Sequence, residues 1–155
     1  MLLFSCLPSN NPLYMCYNTY NIPLPRGSTM IEYNLNTARN IYKLLKSEFR
    51  DLPKSKIVIH TAKKYQKVCN GTIGSAFAHA HSEARKNSRY KNQICIQQKF
   101  LCSASLMEIA EMMAHEAAHL VIKGNHGKRW EKRYERHYDF LKECKKNGEL
   151  ERCEE

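Results

Sequence analysis

The chain has 155 residues, the length of one ordinary domain, so it can bury a hydrophobic core without disulfide bonds. Its 25 lysine and arginine residues outnumber 15 aspartate and glutamate residues. The resulting formal charge of +10 favours either contact with a polyanion such as DNA or simply a solvated surface. No apolar run approaches the ~18 residues that cross a bilayer, and the first residues lack the basic start of a signal peptide, so we expect no membrane partner.

The cysteines indicate reduced thiols and not a disulfide framework. There are seven of them, an odd number, and no two have the two-residue spacing typical of a zinc knuckle. We therefore expect an intracellular protein, either cytoplasmic or associated with DNA. The cysteines are Cys6, Cys16, Cys69, Cys95, Cys102, Cys144 and Cys153.

Residues 1–29 differ in composition from the rest of the chain. They hold four of the five prolines and a single charged residue, Arg26, with no helical or strand period. Polar, proline-rich ends rarely contribute to a core, so we predict a flexible or dispensable arm here and a single domain over residues 30–155. The alternatives are an ordered arm, or a true start at Met30.

Between residues 36 and 98 the pattern predicts one helix and three short strands. From Asn36, which can cap a helix, apolar residues recur at three- and four-residue steps, and Pro53 ends the pattern. Residues 56–61, 75–82 and 93–98 are short segments with β-branched residues or alternating polarity, which is typical of strands. We predict that the strands form a small, mostly antiparallel sheet and that the helix packs on it.

Two strong helices follow. Ser105 and Glu108 form a capping box, in which each side chain can accept a hydrogen bond from the first helical turn. The first helix ends near Gly124, and the second covers residues 127–146. The apolar stripe of the first helix consists of Leu106, Ile109, Ala110, Met113, Ala117, Leu120 and Val121. The second helix has a basic face of Lys128, Arg129, Lys132, Arg133 and Arg136.

His115, Glu116 and His119 form the pattern H-E-x-x-H on the first of these helices. Residues four apart lie on one face of a helix, so the imidazoles of His115 and His119 can reach one ion. Glu116 lies about 100° round the helix from His115, where its carboxylate can take a proton from a water at the open metal position. The apolar stripe is on the other side, so we expect separate packing and ligand faces.

A catalytic zinc site needs three protein ligands and keeps a fourth position for water. His126 lies seven residues after His119, just past Gly124, and can fold back to supply the third ligand. An ordinary surface histidine at position 126 is the alternative. We predict one catalytic Zn²⁺ on three histidines, with Glu116 as the general base. The three predicted ligands are His115, His119 and His126.

The run HEAAHLVIKGNHGKRW resembles the SprT-like, or Spartan, group of zinc metallopeptidases, in which H-E-x-x-H is followed by H-G-x-x-W. The matching residues are His115, Glu116, His119, His126, Gly127 and Trp130. Over residues 36–146 the order of elements is similar to that group's compact, zincin-like α+β core. The resemblance implies an endopeptidase for proteins attached to DNA, with DNA as a partner. We expect Trp130 to pack under the zinc site.

Two other functions are compatible with the motif. A nucleic-acid-binding module with a structural zinc ion predicts a fourth protein ligand, for instance Cys102, and no hydrolysis. An interaction protein with a degenerate peptidase core predicts weak metal binding and a blocked cleft. Glu116 favours the peptidase, because a structural zinc site has no use for a base beside the metal.

The remaining candidates have weaker signals. His79 and His81 share one face of a predicted strand, where we expect solvent exposure, with a role in lining a cleft as the alternative. His60 is expected to be structural. His137 or Tyr134 can stabilise an oxyanion, although the sequence does not place either. We expect the substrate cleft between the sheet edge and the motif helix, where a peptide can add as an extra strand.

Overall fold

The computed structural model describes residues 30–69, 77–82, 88–124 and 126–154, and in this part of the chain the predicted α+β class is confirmed. The predicted arm, residues 1–29, lies outside the described residues. None of the described helices is long and apolar enough to cross a bilayer. The elements in chain order are α1 (Met30–Glu48), β1 (Lys56–His60), α2 (Ala62–Val68), β2 (Ala78–Ala80), β3 (Gln93–Gln97), α3 (Gln98–Leu101), α4 (Leu106–Val121), α5 (Lys128–Lys146) and a 3-10 turn (Glu151–Glu154).

The sequence pattern predicted that the first helix begins at Asn36. In the structure helix α1 begins six residues earlier, at Met30. Asn36 is exposed within the helix, and its side chain accepts a hydrogen bond from Arg39 at 3.1 Å, so it does not cap. Asn34 is buried, and its amide donates to the carbonyl of Leu101 at 2.7 Å. Because this tertiary contact stabilises the first turns, the helix extends beyond its apolar period. The buried side consists of Asn34, Leu35, Thr37, Ala38, Ile41, Tyr42 and Leu45.

The three predicted strands form one sheet in the order β1-β3-β2. Strand β1 pairs with β3 in parallel over five residue pairs, and β2 pairs with β3 antiparallel over three. The prediction of a mostly antiparallel sheet is therefore wrong. A parallel pair needs a long crossover connection, which the chain between His60 and Gln93 supplies. This order leaves β2 at the edge of the described sheet.

The two faces of the sheet pack against different helices. Ile94 and Ile96 belong to the main core, which includes residues of α1 and α4. Cys95 lies between them in sequence and points to the opposite face, where it packs with Tyr65 and Cys69. Helix α2 was not predicted, because Tyr65 is its one buried residue and a single apolar position makes no period. The short helix α3 was not predicted either.

Helix α4 begins at the predicted capping box. Ser105 Oγ accepts a hydrogen bond from the backbone N–H of Glu108 at 3.3 Å, and Glu108 Oε2 accepts one from the backbone N–H of Ser105 at 2.7 Å. The helix packs against α1, α5 and β2 and is the central element of the domain. After Val121 the chain reverses at Gly124, whose φ of +94° favours glycine, and α5 returns along α4.

Candidate metal centre

The structure brings His115, His119 and His126 together. His115 and His119 lie one turn apart on α4, and His126 folds back from the connection to α5. The Nε2 atom of His126 is 2.9 Å from that of His119 and 3.3 Å from that of His115. Two nitrogens bound to one tetrahedral zinc ion lie about 3.3 Å apart, given the usual zinc–nitrogen distance. These residues could therefore hold a metal ion, as the spacing predicted.

The environment keeps the two imidazoles on α4 neutral. Burial, together with smaller contributions from the neighbouring His119 and His126, lowers the pKa of His115 to about 3. Burial also lowers the pKa of His119 to about 4, with smaller contributions from His126 and His79. A neutral imidazole has a free lone pair, which is the form that binds a cation.

Trp130 forms the base of the histidine group. It is the first buried residue of α5, and its ring centroid lies 4.7 Å from that of His115, 5.0 Å from that of His119 and 4.2 Å from that of His126. Trp130 thus packs against all three predicted ligands, as expected. On its other side the indole stacks on Tyr134, with centroids 5.4 Å apart and planes 6° from parallel. The rigid indole restricts the orientations available to all three imidazoles.

A hydrogen bond between the two helices holds this aromatic stack in place. The Tyr134 hydroxyl donates to Glu111 Oε1 at 3.1 Å, and Glu111 lies one turn before His115 on α4. Tyr134 also stacks on Tyr138 one turn further along α5, at 5.9 Å. The hydroxyl of Tyr134 is therefore committed to Glu111, and its ring supports Trp130.

Glu116 is next to His115 on α4, and its side chain contacts strand β2. Its Oε1 atom is 3.9 Å from His115 Nε2, and its carboxylate accepts a hydrogen bond from the backbone N–H of Ala80. Burial raises the pKa of Glu116 to about 8, and the hydrogen bond from Ala80 opposes that shift. The expected separation of packing and ligand faces is wrong for Glu116, which is only 5% exposed.

His137 is part of a buried network in which both of its ring nitrogens have partners. Arg133 Nε donates to His137 Nε2 at 2.8 Å, so the imidazole proton is on Nδ1 and can donate to the carbonyl of Ala114 at 3.2 Å. Arg133 also forms an ion pair with Asp51. Burial lowers the pKa of His137 to about 4, which keeps it neutral. The network joins α5 to the residue that precedes His115.

A second group of possible metal ligands lies on the α2 side of the sheet. His81 Nε2 is 3.5 Å from Cys69 Sγ and 3.4 Å from Cys95 Sγ. His60 Nε2 is 3.4 Å from Cys95 Sγ, and His60 is buried, in agreement with its predicted structural role. The expectation that His79 and His81 are exposed is wrong, because both are partly buried, with ring centroids 4.8 Å apart. The sequence analysis did not identify Cys69, His81 and Cys95 as a possible metal site, because they are too far apart in the chain to form a recognisable motif.

The basic face of α5 forms an open groove next to the end of α4. Its volume is about 230 Å³. Arg129, Lys132 and Arg136 are exposed, whereas Arg133 is partly buried by its ion pair with Asp51. The groove is lined by Ile122, Arg129, Lys132, Arg133 and Arg136. Three exposed cationic side chains around one depression, with Arg133 compensated by Asp51, create a positive local potential.

No protein-family model matches the chain, and no curated protein or solved structure is significantly similar to it. The SprT-like resemblance therefore stays a resemblance over the 16 residues from His115 to Trp130. What the site can do follows from its own geometry.

Proposed function

We propose that the protein is a zinc-dependent endopeptidase whose single catalytic zinc ion is held by His115, His119 and His126. The observation that carries the proposal is the convergence of three imidazoles beside a buried carboxylate. Among the described residues no fourth histidine, cysteine, aspartate or glutamate donor lies within 4.8 Å of all three. Three ligands with an open fourth position are typical of catalytic zinc and not of structural zinc.

Glu116 is the general base of the proposed reaction. When bound, zinc supplies a Lewis acid that polarises the peptide carbonyl and lowers the pKa of water at the open position. Glu116 accepts the proton of the attacking water and passes it to the leaving amine. Its buried position beside Ala80 excludes bulk water and gives the carboxylate a near-neutral affinity for protons, which suits both transfers.

Strand β2 is the proposed binding place for the substrate backbone. It is one of the two edge strands of the described sheet, it packs against α4, and its Ala80 N–H donates to Glu116 beside the histidine group. An extended peptide that adds to such an edge has its backbone fixed by main-chain hydrogen bonds and is largely independent of sequence. Phe77, which is exposed just before β2 and stacks on Phe100 with ring centroids 5.2 Å apart, offers an apolar contact for a substrate side chain.

DNA is the proposed partner of the groove on α5. The formal charge of +10 and the groove of Arg129, Lys132 and Arg136 suit the phosphate backbone and not a particular base sequence. Two residues of the groove, Ile122 and Arg129, lie on either side of His126 in the chain. A protein attached to DNA that is bound in the groove would therefore lie close to the catalytic centre.

The test compares wild type with Glu116→Gln for bound zinc and for cleavage of casein and of the protein itself, with and without single-stranded DNA. We expect equal zinc content in both and cleavage in wild type only, with DNA increasing the rate. Full activity of Glu116→Gln with zinc bound would remove the role assigned to Glu116. Zinc and DNA binding without cleavage under any condition would instead support a nucleic-acid-binding module, which the basic groove also favours.

A further inference from the structure

Strand alternation places a set of soft metal ligands on the face of the sheet that α2 covers. His60 is the last residue of β1, Cys95 is the central residue of β3, and His81 follows β2. Cys95 pairs with Val58 and with His79, each two residues from one of these histidines. Residues two apart share a face, so His60, Cys95 and His81 all point to the same side. Cys69, at the end of α2, packs against this face of the sheet and contacts Cys95.

The distances in this cluster match those of ligands around one metal ion. A sulfur and a nitrogen bound to the same tetrahedral zinc ion lie about 3.6 Å apart, given the usual bond lengths. The observed distances from His81 Nε2 are 3.5 Å to Cys69 Sγ and 3.4 Å to Cys95 Sγ. The donor atoms of Cys69, His81 and Cys95 all lie within 4.8 Å of one another. His60 Nε2 is 3.4 Å from Cys95 Sγ but is not within 4.8 Å of all three of these donor atoms, so it would complete a tetrahedral site by moving closer when the metal binds.

We propose that Cys69, His81 and Cys95, with His60 as fourth ligand, bind a second zinc ion whose role is structural. Two thiolates and two neutral imidazoles balance the charge of Zn²⁺, so the complete site is neutral and suited to burial. Four protein ligands leave no position for water, which separates this site from the open histidine group on α4.

The burial of the cluster favours a bound cation over a set of thiols and imidazoles that merely pack together. Cys69, Cys95 and His60 are buried, with exposed fractions of 4%, 0% and 8%. The Nδ1 atom of His60 is buried without a hydrogen-bond partner among the described residues, so the polar contact of this imidazole is the one that Nε2 makes with Cys95. Weak thiol contacts compensate poorly for burying His60 and partly burying His81, whereas coordination of a dication would do so.

The second ion would fix the strand that borders the proposed substrate cleft. The ligands come from β1, β3, the end of α2 and the residue after β2, and are separated by 9 to 35 residues in the chain. Strand β2 has three residues and pairs on one side only in the described sheet, so it has few hydrogen bonds of its own. A metal bond at His81 would hold this strand against β3, beside Glu116.

The experiment measures zinc per chain and the spectrum of the cobalt-substituted protein, in which a thiolate ligand gives an intense near-ultraviolet charge-transfer band. We expect two zinc ions in wild type and one in Cys95→Ser, in His81→Ala and in His119→Ala. The thiolate band should be present in wild type and His119→Ala and absent in Cys95→Ser. Cys144→Ser, which places the same polar change at another buried cysteine, should keep both ions and the band.

These variants separate the second site from the proposed peptidase centre. Loss of the thiolate band in Cys95→Ser supports the second site whether or not the protein cleaves peptides. A wild-type protein with no thiolate band overturns it, even if His119→Ala loses a zinc ion and all activity. A disulfide between Cys69 and Cys95 in protein prepared under reducing conditions would also overturn it. The thiolate band and the disulfide are both measured on wild type, so the test can be completed even if a variant does not fold.

Discussion

The indole of Trp130 lies against the imidazole of His126, with ring centroids 4.2 Å apart and planes 64° from parallel. His126 is the only one of the three histidines that is not on α4, and it follows the turn at Gly124. The contact with Trp130 therefore provides the rigid surface that positions His126, a loop histidine that could bind a metal. Trp130 is held in turn by its stack on Tyr134.

Trp130→Ala should weaken zinc binding at the histidine group. We expect affinity to fall by about 10- to 100-fold, because groups that orient metal ligands have effects of that size. The free energy of unfolding should fall by about 3 kcal/mol from lost packing. Competition with a chromogenic chelator measures the affinity, and thermal unfolding measures the stability.

Leu141→Ala is the matched control for Trp130→Ala. Leu141 is fully buried on the same helix but about three turns further along it than Trp130. It should lower stability by about 2 to 3 kcal/mol and leave zinc affinity unchanged at temperatures where the protein is folded. Equal loss of affinity in both variants would show that Trp130 acts only through general stability.

Tyr134→Phe should separate the hydrogen bond of Tyr134 from its packing. The variant keeps the stack on Trp130 and removes the 3.1 Å bond to Glu111, so we expect a loss of about 1 kcal/mol in the free energy of unfolding. Tyr138→Phe, whose parent hydroxyl has no comparable bond within the described part of the chain, should change stability by less than about 0.5 kcal/mol. Urea unfolding of both variants checks this, and equal values would mean that the Glu111 contact contributes nothing.

His137 should make stability depend on pH. Its pKa is about 4 in the folded protein against 6.5 for an unperturbed histidine, so the unfolded chain takes up the proton first as pH falls. Above pH 6.5 the titration of His137 does not change the free energy of unfolding. As pH falls from 6.5 toward 4, the free energy of unfolding decreases progressively. The charged groups around it are Arg133, Arg136 and Asp51.

Replacing His137 by asparagine should therefore flatten the stability profile. Between pH 6.5 and about pH 5.5 wild type should lose about 1 kcal/mol more than His137→Asn. The comparison of slopes removes the effect of any overall destabilisation by the substitution, and it cancels the titration of metal ligands that both proteins share. Parallel profiles would show that His137 is not the group responsible.

Removing charge from the α5 groove should weaken DNA binding uniformly across sequences. For the triple variant Arg129→Ala, Lys132→Ala, Arg136→Ala we expect the slope of log affinity against log salt to fall by about one for each phosphate that the protein no longer neutralises. Fluorescence anisotropy with a labelled single strand at several salt concentrations gives the slope. Zinc content and cleavage of casein without DNA should not change.

A triple variant at the other end of α5 is the matched control for this experiment. Lys142, Lys145 and Lys146 are exposed, and each is paired with an acidic residue, at Asp139, Glu151 or Glu143. Their replacement by alanine makes the same change in net charge. If both triple variants weaken DNA binding equally, the effect comes from total charge and the groove is not the site.

The sequence by itself determined the helix that carries His115 and His119, because the signals for that helix are local. The i and i+4 spacing of His115 and His119 requires one helix face, and the capping box at Ser105 marks where that helix begins. These features depend on residues within a few turns of one another, so they can be read from the sequence. The three strands were likewise recognised from short apolar segments.

Tertiary structure decided the features that depend on distant contacts. The burial of Glu116 follows from strand β2, whose Ala80 lies far earlier in the chain, and no helical period shows which strand will pack there. The parallel pairing of β1 with β3 brought His60 close to Cys95, 35 residues later in the chain. Short apolar segments do not encode their partners, because pairing is selected by packing of the whole core. For the same reason the Cys69–His81–Cys95 cluster became visible only in the folded chain.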